Sequence, residues 1–257
     1  MKLSDAKVEL ARRHNKVDFQ DEQRVVKVFN DQKPASDVFN EAHNLALIEE
    51  SGIRVPQVLE VSRVQGGQWD GSWALATRYV PGITLHALAS ENPEKFPSYI
   101  EYLVDAQISV QKVTAPLLNR QKDKLSRMVS TVTAIEANTR YDLQTRIDGM
   151  KLGTKVCHGD FVPSNVIVGD DGNAYLCDWA HVTAGLPEVD AAQTYLLLSL
   201  RHSEWAKDYL DLYSEKTNMS RQEILYWQPV VAAAELARGR ERDQEFLMSL
   251  VGVGDFE

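Results

Sequence analysis

A chain of 257 residues, 44% hydrophobic and 25% charged, has the make-up of an ordinary globular protein with room for one large core or two modest lobes. Its net charge of −9 argues against nonspecific nucleic-acid binding, which needs phosphate-neutralising Lys and Arg; the acidity is compatible with a cationic substrate, although mild acidity mainly serves solubility. No apolar run reaches membrane-spanning length, the first residues do not read as a signal peptide, and two cysteines are too few for a disulfide framework, so a cytoplasmic protein with reduced thiols and no membrane partner is expected.

Residues 7–29 read as three short strands. Val8 and Leu10 alternate with polar residues, Val17 and Phe19 do the same, and Arg24–Phe29 is the strongest run, entered through a turn at Asp21-Glu22. Val25, Lys27 and Phe29 share one face of that third strand. Lys27 is then either an edge lysine reaching for water or an ammonium held for phosphate. A helix follows, capped by Ser36 or Asp37 and stopped by Gly52. Its apolar stripe of Val38, Leu45 and Ile48 also carries Glu41, which either meets a buried cation or lies at the margin in water. Residues 58–64 and 72–80 form a further strand pair around a glycine-containing loop, and Pro81-Gly82 marks a boundary between an N-terminal lobe, 1–80, and a C-terminal lobe, 81–257.

In the second lobe, residues 97–113 and 125–147 have helical spacing and carry no evident chemistry. The block that organises the chain is Val156-Cys157-His158-Gly159-Asp160-Phe161-Val162-Pro163-Ser164-Asn165, followed by two apolar runs, 166–168 and 175–177, around the turn Gly169-Asp170-Asp171-Gly172-Asn173. A hairpin so built brings Asp160, Asn165 and Asp178 to one end, and oxygen ligands of that kind suit magnesium. Beyond it, Asp190 reads as the cap of an apolar helix over 191–200, and His181 and His202 have no partner at metal-ligand spacing. Residues 204–250 are expected to be helical, with Pro229 bending the segment 220–239. Trp205, Tyr209, Tyr213, Tyr226 and Trp227 cluster there, either as core or as a surface for a cationic group.

The order His-x-Asp-x-x-x-x-Asn, hairpin, Asp is that of a kinase catalytic loop and its metal aspartate. With Gly159 inside the motif and Trp179 after Asp178, it resembles the aminoglycoside phosphotransferase and choline kinase-like family. The resemblance implies an α/β (α+β) bilobal protein-kinase-like fold: a small antiparallel sheet lobe with one helix, and a larger, mainly helical lobe with a catalytic hairpin. It also implies a magnesium-dependent kinase that moves the γ-phosphate of ATP or GTP to a hydroxyl of a small-molecule acceptor; the expected state, monomer or homodimer, is left open by the sequence. Asp160 would be the catalytic base, Asn165 and Asp178 the metal ligands, and Lys27 braced by Glu41 the phosphate contact. Backbone groups of Arg78, Tyr79 and Val80 would hold the base, and Asp190 would brace the catalytic loop. One departure stands out. Where such kinases place a glycine-rich loop, this chain has Arg12-Arg13-His14-Asn15, so backbone approach to phosphate is replaced by charge from Arg12 or Arg13. A nucleotide-binding pseudokinase or regulatory module is the competing reading.

Overall fold

The computed structural model describes residues 1–252. The chain groups into two compact units, one of Met1–Leu88 with Ser164–His181, the other of Ala89–Pro163 with the chain from Val182 onward.

The first unit opens with strands β1 (Val8–Arg12), β2 (Lys16–Asp21) and β3 (Arg24–Phe29), then helix α1 (Ala35–Glu50), β4 (Val58–Arg63) and β5 (Trp73–Arg78). The strands form one antiparallel sheet in the order β1-β2-β3-β5-β4. Alternation along β3 divides its side chains between two cores. Val26 and Val28 join Val17, Phe19, Ala74 and Ala76 on one face. Phe29 and Leu75 meet Val38 and Ala42 of α1 on the other. Helix α1 begins before the expected cap. Pro34 is the N-cap residue, and Ser36 and Asp37 lie in the first turn, where the Asp37 carboxylate faces the positive end of the helix dipole. Gly52 ends the helix as expected, in a left-handed conformation at φ +85°. After β5 come β6 (Gly82–Thr84) and α2 (Leu85–Glu91).

The second unit continues with α3 (Phe96–Gln111), α4 (Gln121–Thr131), α5 (Ala137–Asp148) and β7 (Lys155–Cys157). The continuous helical pattern expected over 125–147 is broken between α4 and α5. Thr131, Val132 and Thr133 are β-branched, and Val132 turns extended to bury its side chain. The chain then returns to the first unit as the hairpin β8 (Val166–Gly169) and β9 (Ala174–Leu176), with β8 also pairing to β6. The second unit resumes with β10 (Thr183–Gly185), antiparallel to β7, and helices α6 (Pro187–Arg201), α7 (Ser203–Thr217), α8 (Arg221–Leu225), α9 (Gln228–Leu236) and α10 (Gln244–Val251). Pro229 stands in the first turn of α9, so it starts a helix instead of bending one. Trp205, Tyr209, Tyr213 and Trp227 are core residues, whereas Tyr226 is exposed. Among the described residues no helix is long and apolar enough to cross a membrane.

Gly153 lies where β10 passes close by. A β-carbon there would sit 2.1 Å from the Gly185 carbonyl oxygen, a backbone atom with no freedom to swing away. Gly153→Ala is therefore expected to destabilise the protein by about 1–3 kcal/mol, read in denaturant melts at unchanged m-value.

Candidate active site

Lys27 is not an edge lysine. Its strand has β2 and β5 on either side, pairing it with Asp18 and Leu75 on the face that α1 covers. There the ammonium donates to Glu41, which is only 3% exposed on α1. The same nitrogen lies 3.2 Å from Asp178 Oδ1. Asp178 follows β9 directly and holds φ +64°, a left-handed conformation uncommon for residues other than glycine. Two further cations reach it, Arg13 from the β1–β2 connection and Lys16 from the start of β2. Lys16 Nζ donates at 3.0 and 3.2 Å, and Arg13 Nη1 at 2.8 Å. Arg12 points elsewhere, making a two-bonded pair with Glu9 and lying over the Trp69 ring.

Opposing forces act on each of these charges. Burial pushes the Asp178 carboxyl up, but Lys27, Lys16 and Arg13 overcome it and hold the group well below the usual carboxylate range. Burial also pulls Lys27 down, yet Asp178, Glu41 and Asp18 keep its ammonium well above the ordinary value. For Lys16 the balance is reversed: burial and then repulsion from Lys27 lower it despite Asp178. The cluster thus sets three cations, Lys27, Lys16 and Arg13, against three carboxylates, Asp178, Glu41 and Asp18.

All of these groups except Lys16 line one cavity of about 490 Å³ in the first unit. Lys27, Glu41, Asn165 and Asp178 belong to its wall together with Arg78, Tyr79 and Val80. Apolar surface comes from Val25, Leu75 and Ile167. Hairpin pairing fixes the two oxygen-bearing residues: Cys177 N donates to Asn165 O at 2.9 Å, setting Asn165 opposite the residue before Asp178. Among the described residues no group of three or more His, Cys, Asp and Glu gathers as a metal site. A carboxylate held ionised and an amide oxygen, both hard donors, fit a cation that keeps most of its shell as water and phosphate oxygen.

Asp160 belongs to the second unit, in a loop whose shape is set from several sides. His158 is fully buried, its Nδ1 accepts from the Asp160 backbone N–H at 3.2 Å, and its ring meets Phe161 edge-on. Gly159, at φ +75°, donates its N–H to Asp190 Oδ1 at 2.9 Å. Asp190 is not the cap of α6, since Leu186 occupies that place. Its carboxylate instead reaches Gly159 on one oxygen and, on the other, accepts from Gln107 at 3.0 Å and Gln111 at 2.9 Å. Those amides accept in turn from the Tyr209 and Tyr213 hydroxyls at 2.6 and 2.7 Å. A buried, satisfied network of this kind rigidifies what it holds. Sequence reasoning missed it, though Gln107 and Gln111 on an apolar helical stripe, with two tyrosines four residues apart, were the available signal. It also missed Lys16, which alternation puts on the Asp18 face of β2 and so beside Lys27.

A sheet-bearing unit with a buried lysine–glutamate pair, and a helical unit with a braced aspartate loop, define a protein-kinase-like bilobal fold. The chain belongs to the phosphotransferase enzyme family that includes the aminoglycoside phosphotransferases, whose family model matches residues 11–224. Among solved structures, a thermostable mutant of aminoglycoside phosphotransferase APH(4)-Ia in its apo form aligns over 99% of this chain and 96% of its own, with TM-score 0.72 and 14% identity. A choline/ethanolamine kinase family protein from Mesorhizobium loti aligns over 98% and 83%, with TM-score 0.60 and 13% identity. The APH(2")-IIa structure with streptomycin and ATP aligns over 96% and 91%, with TM-score 0.62 and 14% identity. At such identities the likeness concerns the fold. No curated protein matches the chain.

Proposed function

We propose that this protein is a magnesium-dependent small-molecule kinase that transfers the γ-phosphoryl group of ATP or GTP to an acceptor hydroxyl. The observation that carries the reading is the buried Lys27–Glu41 pair joined to Asp178 on one cavity wall. Lys27, held by Glu41, neutralises phosphate oxygens, and Arg13 with Lys16 supplies the charge that a glycine-rich loop would replace with backbone amides. Asn165 and Asp178 hold magnesium, which when bound draws charge from the phosphate oxygens. At the end of β5, Arg78 N donates to Gln57 O and Tyr79 N to Gln23 O. Among the described residues the Val80 amide has no such backbone acceptor, so Val80 is assigned the donor bond to the base.

Asp160 orients the acceptor hydroxyl and takes its proton as the new O–P bond forms. The bond from the γ-phosphorus to the β–γ bridging oxygen breaks, and the nucleoside diphosphate leaves with that electron pair. Positioning and charge stabilisation supply most of the rate. The competing reading, a nucleotide-binding module without transfer, draws on the glycine-free turn and on the three cations that already occupy Asp178.

The test is the melting temperature with magnesium and ATP or GTP, followed by nucleoside diphosphate release across a panel of alcohols. Nucleotide at a hundredfold excess over Kd is expected to stabilise the protein by about 2.7 kcal/mol. Replacing both Arg13 and Lys16 by Ala should weaken that binding at least about tenfold. No shift at millimolar nucleotide removes both readings; a shift without transfer to any alcohol leaves the non-catalytic one.

A further inference from the structure

The surroundings of Asp160 are short of negative charge. At the end of α6, Arg201 Nη1 lies 3.8 Å from Asp160 Oδ1, and both side chains are largely buried. Arg201 Nε and Nη2 are inaccessible and make no hydrogen bond among the described residues. A buried guanidinium donor without an acceptor is costly, and it is rarely left so unless something else completes it.

Around this pair the second unit adds more cations. Glu235 of α9 is 3% exposed, accepts from Gln193 at 2.7 Å, and has Arg238 Nε at 3.2 Å and Arg240 Nη1 at 3.9 Å. Lys124 of α4 lies within electrostatic reach of Asp160, Glu235, Arg238 and Arg127. Burial, then repulsion from Arg238, draws its ammonium down to about 7 despite Glu235 and Asp160. Burial likewise raises the Glu235 carboxyl, against the pull of Arg238. The fixed cations Arg201, Arg238 and Arg240, with a Lys124 that is only partly charged near neutral pH, thus face the carboxylates Asp160 and Glu235 among the described residues.

A polycationic or quaternary-ammonium acceptor brought to Asp160 would meet this excess of like charge. An acceptor with a carboxylate or phosphate near its reacting hydroxyl would instead be drawn by this charge and meet Arg201 at Nη1, the guanidinium nitrogen 3.8 Å from Asp160 Oδ1. We infer that the acceptor is an anionic alcohol whose acidic group is bound by Arg201, supported by Lys124 and Arg240. The inference rests on Asp160 being the group that receives the acceptor hydroxyl.

The test uses the whole protein with saturating magnesium and a non-hydrolysable ATP analogue, which keeps anions out of the nucleotide cavity. Glycerate and glycerol 3-phosphate are the anionic probes, glycerol the neutral one, choline and kanamycin the cationic ones, each titrated calorimetrically. The anionic probes should bind at least about tenfold tighter than glycerol and weaken by a similar factor in Arg201→Gln. Their relative strength separates carboxylate from phosphate. Should Arg201→Gln fold poorly, Arg240→Gln, at a more exposed position, gives the same comparison. In turnover with ATP, either variant should raise KM for the anionic alcohol while leaving KM for ATP unchanged. Preferred binding of choline or kanamycin, or equal anion binding by wild type and variants, overturns the inference. A nucleotide analogue that itself fails to bind speaks against the kinase reading separately, because that measurement precedes any acceptor.

Discussion

Asp160→Asn is expected to lower kcat about a hundred- to ten-thousandfold, the usual worth of a positioned general base. The amide has the shape of the carboxylate but cannot accept the hydroxyl proton as the O–P bond forms. The backbone that presents residue 160 is held independently of its side chain, by the Gly159–Asp190 bond and by His158 accepting from the residue 160 N–H. The loop should therefore keep its shape, and KM for ATP and the nucleotide-induced rise in melting temperature should stay as in wild type. Arg201 loses the charge 3.8 Å away, so a modest stability change accompanies the kinetic one. The check is a paired measurement of kcat and nucleotide affinity. Normal turnover in the variant takes Asp160 out of the mechanism.

Much of the first unit was legible because its strands alternate and its helix has a single apolar stripe. Val17, Phe19, Val26 and Val28 fall on one face by period alone, and they are one core. Helical three-and-four spacing put Glu41 on the stripe of α1, leaving open a buried cation or a place at the margin, and the structure shows the buried pair with Lys27. What stayed hidden depended on contacts between distant segments. Asp190 has the local sequence of a cap, yet Pro187 starts the helix earlier and frees that carboxylate for Gly159, Gln107 and Gln111. The choice of Arg13 with Lys16 over Arg12 follows from the direction each side chain takes from the β1–β2 turn, which spacing does not reveal. Nor does it gather Arg201, Glu235 and Lys124, from three helices, near Asp160.

Asp178→Ala is expected to act twice, on stability and on ligand preference. Its carboxylate is the shared partner of Lys27, Lys16 and Arg13, with side-chain exposures of 12% for Asp178 and 16%, 10% and 44% for the three cations. Removing one member of a largely buried pair leaves the others uncompensated, at a cost of about 3–5 kcal/mol when fully buried and less here because Arg13 is half exposed. The effect depends on pH with a definite sign. Asp178 is held below its unfolded value near 3.8, so its contribution is fully present above that pH and is lost as pH falls through the lower folded value. Denaturant melts should therefore separate wild type from the variant most at neutral pH and progressively less as pH falls below about 3.8. Ligand binding should change in the opposite direction for two anions that differ only in their metal. The magnesium-dependent part of the ATP shift should vanish, because Asn165 alone remains of the proposed ligands. Metal-free ATP or pyrophosphate should stabilise the variant more than it does wild type, since Lys16, Lys27 and Arg13 no longer have the aspartate competing for them. A variant that keeps its magnesium dependence would remove Asp178 as a metal ligand. One that loses it without gaining metal-free affinity would mean that the three cations do not face the phosphate site.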